Sequence, residues 1–150
     1  MAEFRIRKAV ESDLDEIIRL WKRNIRTINT ASDIAELFYA FEKYFFVAVP
    51  VANTENRVIG FIGGAVREEH GHISGIAVDK DYRRRGVGKG LIKAVEREFL
   101  TNAFDTVTLE VRKSNWDAIR FYEQQGYKRA YFVKGYYADG EDAIVYAKRM

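Results

Sequence analysis

Apolar residues recur along the chain with two periods, and the switches between them mark out its elements. Phe4-Arg5-Ile6-Arg7 alternates apolar and basic, the pattern of a short strand. Leu14, Ile17, Ile18 and Trp21 then recur at helical spacing, with Asp15 and Glu16 in the first turn. Ser12 stands where an N-cap belongs, so a helix is expected to run to Asn24 or Ile25. Ile28 to Ala31 reads as a loop. Ser32 is the expected cap of a second helix carrying Ile34, Leu37, Phe38 and Phe41, whose aromatic residues read mainly as core. Phe45 to Val51 is continuously apolar, as in a strand covered on both faces. Asn53-Thr54-Glu55-Asn56 supplies a turn. Val58 to Val66 is a further strand, and Gly60, Gly63 and Gly64 inside it mark a bulge or a close backbone approach. Glu69-His70-Gly71 reads as the next turn, with His72 beside it, before a strand from Ile73 to Val78. Short turns join these three strands, which implies an antiparallel meander.

The second half changes character. A charged, glycine-rich stretch leads into Leu91, Ile92, Ala94 and Val95, one face of a helix expected from Val87 to about Leu100. Thr106 to Val111 alternates cleanly. Two strands joined through a long helix imply a right-handed parallel crossover. Ser114 or Asn115 caps a helix through Gln125, and Gly126 ends it in a left-handed conformation. Tyr127 to Val133 and Ala143 to Lys148 are the last strands, on either side of an aromatic turn, Gly135 to Gly140. Neither repeat nor linker interrupts the pattern. One α/β domain over residues 1–150 is expected, an α+β mixed sheet of about seven strands flanked by four helices.

Composition narrows the class. The 150 residues are 47% hydrophobic and 14% aromatic, ample for a core. No apolar run approaches the ~20 residues of a membrane span, and Met1 to Lys8 holds no apolar signal core. No membrane association is expected. There is no cysteine, which excludes disulfides, thiolate metal sites and cysteine nucleophiles and fits a cytoplasmic protein. The 25 basic and 22 acidic residues leave a net charge of +3, a mixed surface without the footprint of a nucleic-acid binder. His70 and His72 are the only imidazoles and read as turn residues. No carboxylates stand at metal spacing beside them, so no metal is expected.

The strand Ile76-Ala77-Val78 runs through Asp79 to Arg85 into Gly86-Val87-Gly88-Lys89-Gly90 and a helix. That order suits an anion, because glycines let N–H groups approach a phosphate and a helix start adds partial positive charge. Arg83, Arg84, Arg85 and Lys89 add full charges. The spacing is not that of a P-loop, and Leu91 stands where a dinucleotide fingerprint needs glycine. A basic, solvated turn capping a helix remains an alternative on these residues alone. Arg83-x-x-Gly86-x-Gly88 resembles the acyl-coenzyme A loop of the GCN5-related N-acetyltransferases.

Three further segments carry the resemblance. Leu109-Glu110-Val111-Arg112-x-Ser114-Asn115-x-x-Ala118, followed by Tyr122 and Gly126-Tyr127, is similar to the motif of the branch that acetylates protein N-termini. So are Gly135-Tyr136-Tyr137-x-Asp139-Gly140-Glu141-Asp142-Ala143 and Gly71-His72-Ile73-Ser74. The first half resembles the superfamily only in element order. The resemblance implies that superfamily's fold, acetyl-coenzyme A as cosubstrate and an amine acceptor, most closely a protein or peptide N-terminus. It implies that Ile76, Ala77 and Val78 offer backbone groups to the pantetheine arm and the acetyl carbonyl. It implies that Arg83, Arg84, Arg85, Gly86, Val87, Gly88, Lys89 and Gly90 surround the pyrophosphate, with Asn115 and Tyr122 on the arm. The two parallel strands would splay to admit that arm.

Four tasks define acetyl transfer to an amine: holding the thioester, polarising its carbonyl, deprotonating the ammonium and protonating the thiolate. With neither cysteine nor a Gly-x-Ser-x-Gly elbow, direct attack in a ternary complex is the natural route. Alternation puts Val107, Leu109 and Val111 on one face of their strand and Glu110 on the other, toward a cleft or toward solvent. The motif makes Glu110 the base and Tyr122 the acid, and sets Tyr136 and Tyr137 at the acceptor entrance. Core packing for Tyr122 and turn filling for the tyrosine pair are the alternatives. A small-molecule amine acceptor, or a coenzyme-binding module without catalysis, are the competing functions. Either a monomer or a homodimer is compatible with the sequence.

Overall fold

A computed structural model describes residues 4–51 and 57–150. The turn expected at Asn53 to Asn56 lies outside the described residues. The elements run β1 (Phe4–Lys8), α1 (Leu14–Asn24), α2 (Ala31–Ala40), β2 (Phe45–Pro50), β3 (Gly60–Arg67), β4 (His70–Val78), α3 (Val87–Thr101), β5 (Thr106–Arg112), α4 (Trp116–Gln124), β6 (Lys128–Val133) and β7 (Ala143–Arg149). The strands form one seven-stranded sheet in the order β1-β2-β3-β4-β5-β7-β6. All neighbours are antiparallel except β4 and β5. Seven strands, four helices, the meander and the single parallel junction agree with the hydrophobic pattern.

Two apolar layers sandwich the sheet. On one face α1 and α2 bury Ile17, Trp21, Ile34 and Phe38 against Phe45, Val47 and Phe61. On the other, α3 and α4 bury Leu91, Val95, Phe99 and Tyr122 against Ile62, Leu109 and Ile144. The alternation read in Thr106 to Val111 is real, since Val107, Leu109 and Val111 are buried in this second layer.

Two expected caps move. Thr30, not Ser32, caps α2: its Oγ1 accepts from Asp33 N at 3.1 Å while Asp33 Oδ2 accepts from Thr30 N at 2.9 Å. Ser12 lies within a short 3-10 turn, Glu11–Asp13, that precedes α1. Asp13 stands at the N-cap position of α1 but its side chain makes no cap bond to the helix; it turns back, accepting from Val10 N at 2.8 Å and from both terminal nitrogens of Arg7 at 2.8 and 2.9 Å. Burial penalises the Asp13 carboxylate, but these bonds outweigh it and hold its pKa below the usual range. At the start of α4, Asn115 is the N-cap, accepting from Ala118 N at 3.2 Å, and past its end Gly126 has φ +93° as expected.

The turn between β3 and β4 lies earlier than the sequence suggests. Glu68 and Glu69 make it, at φ +45° and +69°. β4 therefore begins at His70, and His72 is a buried strand residue, not a turn residue. The β3–β4 register then slips: Gly63 pairs with Gly75 but Gly64 pairs with Ile73, which leaves Ser74 as the extra residue of a bulge. The glycines mark close approach as well. A Cβ on Gly63 would lie 2.6 Å from the Phe45 ring, and one on Gly64 2.9 Å from the Phe99 ring.

β4 and β5 pair only at Gly71–Val107 and His72–Thr108. Beyond that point no register pair joins them among the described residues. The backbone from Ile73 to Val78 is thus not taken up by β5, and the strands part as they run toward α3 and α4.

Candidate active site

Glu110 stands where the strands separate. Its Oε1 is 2.9 Å from His72 Nε2, across from β4, and 3.4 Å from the hydroxyl of Tyr136 on the β6–β7 turn, which donates to it. His72 Nδ1 is 3.1 Å from Ser74 Oγ, the bulged residue. His72 Nε2–H donates to Glu110 Oε1 and Nδ1 pairs with Ser74 Oγ, which fixes the ring at both ends. Glu110 Oε2 has no hydrogen-bond partner among the described residues. Burial pushes the Glu110 pKa up; the His72 hydrogen bond and charge, the Arg67 charge and the Tyr136 hydroxyl more than reverse this, and the net shift is downward. Glu110 is ionised at neutral pH, with one oxygen held and one open.

Tyr137 continues the wall. Its ring meets Tyr136 edge to face at 5.0 Å and lies 4.1 Å beneath the Arg112 guanidinium. Burial, then the neighbouring Tyr136, raise its pKa to about 12. Tyr122 approaches from the opposite layer on α4. It is buried, packed edge-on to Tyr127 at 6.1 Å, and burial followed by the nearby Tyr137 raises its pKa far above the usual phenol value. Its hydroxyl makes no hydrogen bond to a described residue. Among the described residues no fully buried side-chain oxygen lacks a partner, so this hydroxyl is not fully closed off.

The glycine-rich loop is built as an anion nest. Gly86, at φ +84° with open space around it, is the N-cap of α3, and no side chain caps that end. No acidic residue occupies the first turn, and the first helical bond runs from Gly90 N to Gly86 O. The N–H groups of Val87, Gly88 and Lys89 therefore precede the helical ladder. Arg84 is itself at φ +63°, extending the left-handed turn. Arg85 lies over the Tyr82 ring at 5.3 Å. Arg83 faces elsewhere: its Nε donates to Val78 O at 3.1 Å and its Nη2 to Asn24 Oδ1 at 2.9 Å, which braces the loop against α1.

The expected residues thus fall into groups. Glu110, Tyr136 and Tyr137 meet in one cluster, and Tyr122 lies close enough to Tyr137 to be felt electrostatically. Ile76 and Val78 lie on the stretch of β4 that pairs with β3 but not with β5, whereas the Ala77 side chain is buried in the layer of α1. The Asn115 side-chain oxygen is engaged as a helix cap. Sequence reasoning missed His72, Ser74, Arg67 and Arg112. The alternation of His72 with Ser74 was the available signal for the first two, masked by a misplaced turn. No group of three or more metal-ligating side chains occurs among the described residues, and no described helix is long and apolar enough to cross a membrane.

Strand order, the gap between β4 and β5, and the glycine-rich start of α3 define an acyltransferase of the GCN5-related class. The sequence matches the Acetyltransferase (GNAT) family over residues 13–127, and the chain belongs to that family. It is an N-acetyltransferase. Among its relatives is the N-alpha-acetyltransferase of Saccharolobus solfataricus, 31% identical over 97% of this chain and 93% of that protein. The crystal structure of Ard1 from Thermoplasma volcanium superposes with a TM-score of 0.91 at 27% identity, covering 99% of each chain. Arabidopsis thaliana NAA60, solved in complex with acetyl-CoA, shares the fold at a TM-score of 0.83 and 17% identity, over 98% of both chains.

Proposed function

We propose that this N-acetyltransferase moves the acetyl group of acetyl-coenzyme A directly to the N-terminal α-amine of a protein or peptide. The observation that carries the reading is the Glu110 carboxylate, anchored through Oε1 by His72 and Tyr136 and open at Oε2, beside the gap between β4 and β5. Similarity over nearly the whole chain to an N-alpha-acetyltransferase supports the acceptor class.

The chain fits the coenzyme. An uncapped helix start, a left-handed glycine and Arg84, Arg85 and Lys89 around it suit phosphate groups. The edge of Ile76 to Val78 that β5 leaves without a register partner suits an amide-bearing arm. When bound, acetyl-coenzyme A supplies an acetyl group activated as a thioester.

Glu110 Oε2 takes the proton of the acceptor ammonium, directly or through one water. A carboxylate whose pKa is already low is a weak base, which favours an acceptor that gives up its proton readily. An N-terminal amine has a pKa of ~8 against ~10.4 for lysine, a difference of about 3 kcal/mol in deprotonation. His72 keeps Glu110 in place and ionised. Tyr122 is held protonated by burial, so its hydroxyl serves chiefly as a hydrogen-bond donor to negative charge on the leaving sulfur, not as a strong acid. Tyr136 and Tyr137 border the acceptor's first residues.

Glu110→Gln combined with Tyr122→Phe is expected to slow turnover of a peptide acceptor by about 10³-fold or more, the scale of general acid–base effects. Coenzyme binding, measured by calorimetry, should be largely retained, because the α3 loop that holds the phosphates is untouched. Normal turnover in the double variant would overturn these roles.

A further inference from the structure

Arg112 sits two residues beyond Glu110 on β5 and therefore shares its face. Its side chain is only 14% exposed and has three partners in a single turn. Nη1 donates to both Asp139 carboxylate oxygens at 3.0 and 3.1 Å and to Glu141 Oε1 at 3.0 Å. The guanidinium also covers the Tyr137 ring. The turn closes on itself without Arg112, because Gly140 N donates to Tyr137 O at 2.8 Å and Tyr137 N to Glu141 O at 3.1 Å. Arg112 therefore does not create the turn's shape; it docks a preformed turn against β5. Two outer contacts complete the docking. Arg26, on the loop between α1 and α2, reaches Asp139. Ser114 N, just before α4, donates to Glu141 Oε2 at 2.8 Å.

We infer that Arg112 is a positioning residue for the acceptor side of the site, setting the Tyr136–Tyr137 wall at the distance from Glu110 that an acceptor N-terminus requires. The inference rests on the N-terminal acceptor proposed above. It follows that losing Arg112 releases the wall while leaving the α3 loop, and with it the coenzyme's phosphate cradle, untouched. A lysine replaces it poorly, since an ammonium can meet the carboxylates as a point charge but offers no flat guanidinium face to the Tyr137 ring.

The test uses the whole chain and a set of octapeptides with free N-termini differing in the first residue. The peptide that the wild type acetylates best is then used with Arg112→Ala, Arg112→Lys and Asp139→Asn. Arg112→Ala and Arg112→Lys are expected to raise KM for the peptide by about tenfold or more, the scale of a charge-assisted contact. Asp139→Asn should raise it less, because Glu141 remains. The coenzyme dissociation constant should stay within twofold of wild type in all three, and thermal melting reports whether each is folded. If Arg112→Ala does not fold, the lysine and asparagine variants carry the test. An unchanged peptide KM in the folded variants, or an equal loss of coenzyme affinity, overturns the inference alone. A wild type that acetylates none of the peptides overturns the proposed acceptor, and this inference with it.

Discussion

At the scale of the residue, the protonation state of Glu110 rests on a neighbour. The carboxylate is partly buried, which by itself would raise its pKa, and the His72 contact at 2.9 Å is the first of the interactions that reverse the sign. Removing His72 while leaving the burial must therefore raise the Glu110 pKa. In a His72→Ala variant, the acid limb of kcat/KM against pH is expected to move to higher pH. The alkaline side, governed by the acceptor amine near ~8, should stay put. An acid limb at the wild-type position would show that His72 does not set the charge of Glu110. The same shift acts on stability. Because the folded pKa lies below the ordinary glutamate value, ionised Glu110 stabilises the fold above the unfolded pKa, and the contribution is lost as pH falls through the folded pKa. Glu110 itself was legible from strand alternation and the surrounding motif. His72 was not, since Glu69-His70-Gly71-His72 is polar and glycine-containing and reads as a turn. The actual turn uses Glu68 and Glu69 at positive φ, a conformation glutamate rarely adopts and no residue type announces.

At the scale of the element, β3 and β4 are thinned so that two aromatic layers can close on them. Gly64 lies against the Phe99 ring, Tyr44 Cβ and Val95 Cγ2, with a Cβ there meeting them at 2.9, 3.2 and 3.2 Å. Gly64→Ala is expected to cost about 1–3 kcal/mol of stability by overpacking, measured by urea unfolding. The folded fraction should retain coenzyme affinity, because the α3 start is remote from this contact. A neutral substitution would mean that the layer has slack. The α3 loop divides its arginines between two tasks. Arg83 braces Val78 and Asn24, so Arg83→Ala should change coenzyme affinity by less than about twofold, whereas Arg84→Ala and Lys89→Ala should each weaken it by about fivefold or more, with reduced salt dependence. Equal losses in all three would contradict the division. Element order and type were readable because both hydrophobic periods are clean. The caps were not: Thr30 prevails over Ser32 through its reciprocal bonds with Asp33, α1 starts at Asp13 with no side-chain cap, and several short polar side chains near each helix start leave that choice open in the sequence.

At the scale of the molecule, function follows from one departure from regular pairing. A sheet of seven strands is continuous except where β4 and β5 hold two register pairs and then separate. That gap brings the backbone of Ile76 to Val78, the start of α3 and the face of β5 bearing Glu110 to one region. The ion pair between Arg26 and Asp139 ties the α1–α2 loop to the β6–β7 turn on the acceptor side. The parallel crossover that makes the gap possible was evident in the strand–helix–strand order. The docking of the β6–β7 turn was not, because its partners lie far off in sequence, Arg112 at 27 residues from Asp139 and Arg26 at 113. The acceptor is the central claim, and competition between amines tests it most directly. Peptides with a free N-terminus and an internal lysine would be mixed in equal amounts with Nα-blocked lysine peptides and with small amines such as polyamines. With acetyl-coenzyme A and the full chain, fragment mass spectra should place the acetyl group on N-terminal residues, with little on blocked peptides or small amines. Acetylation confined to lysine side chains or to the small amines would contradict the account.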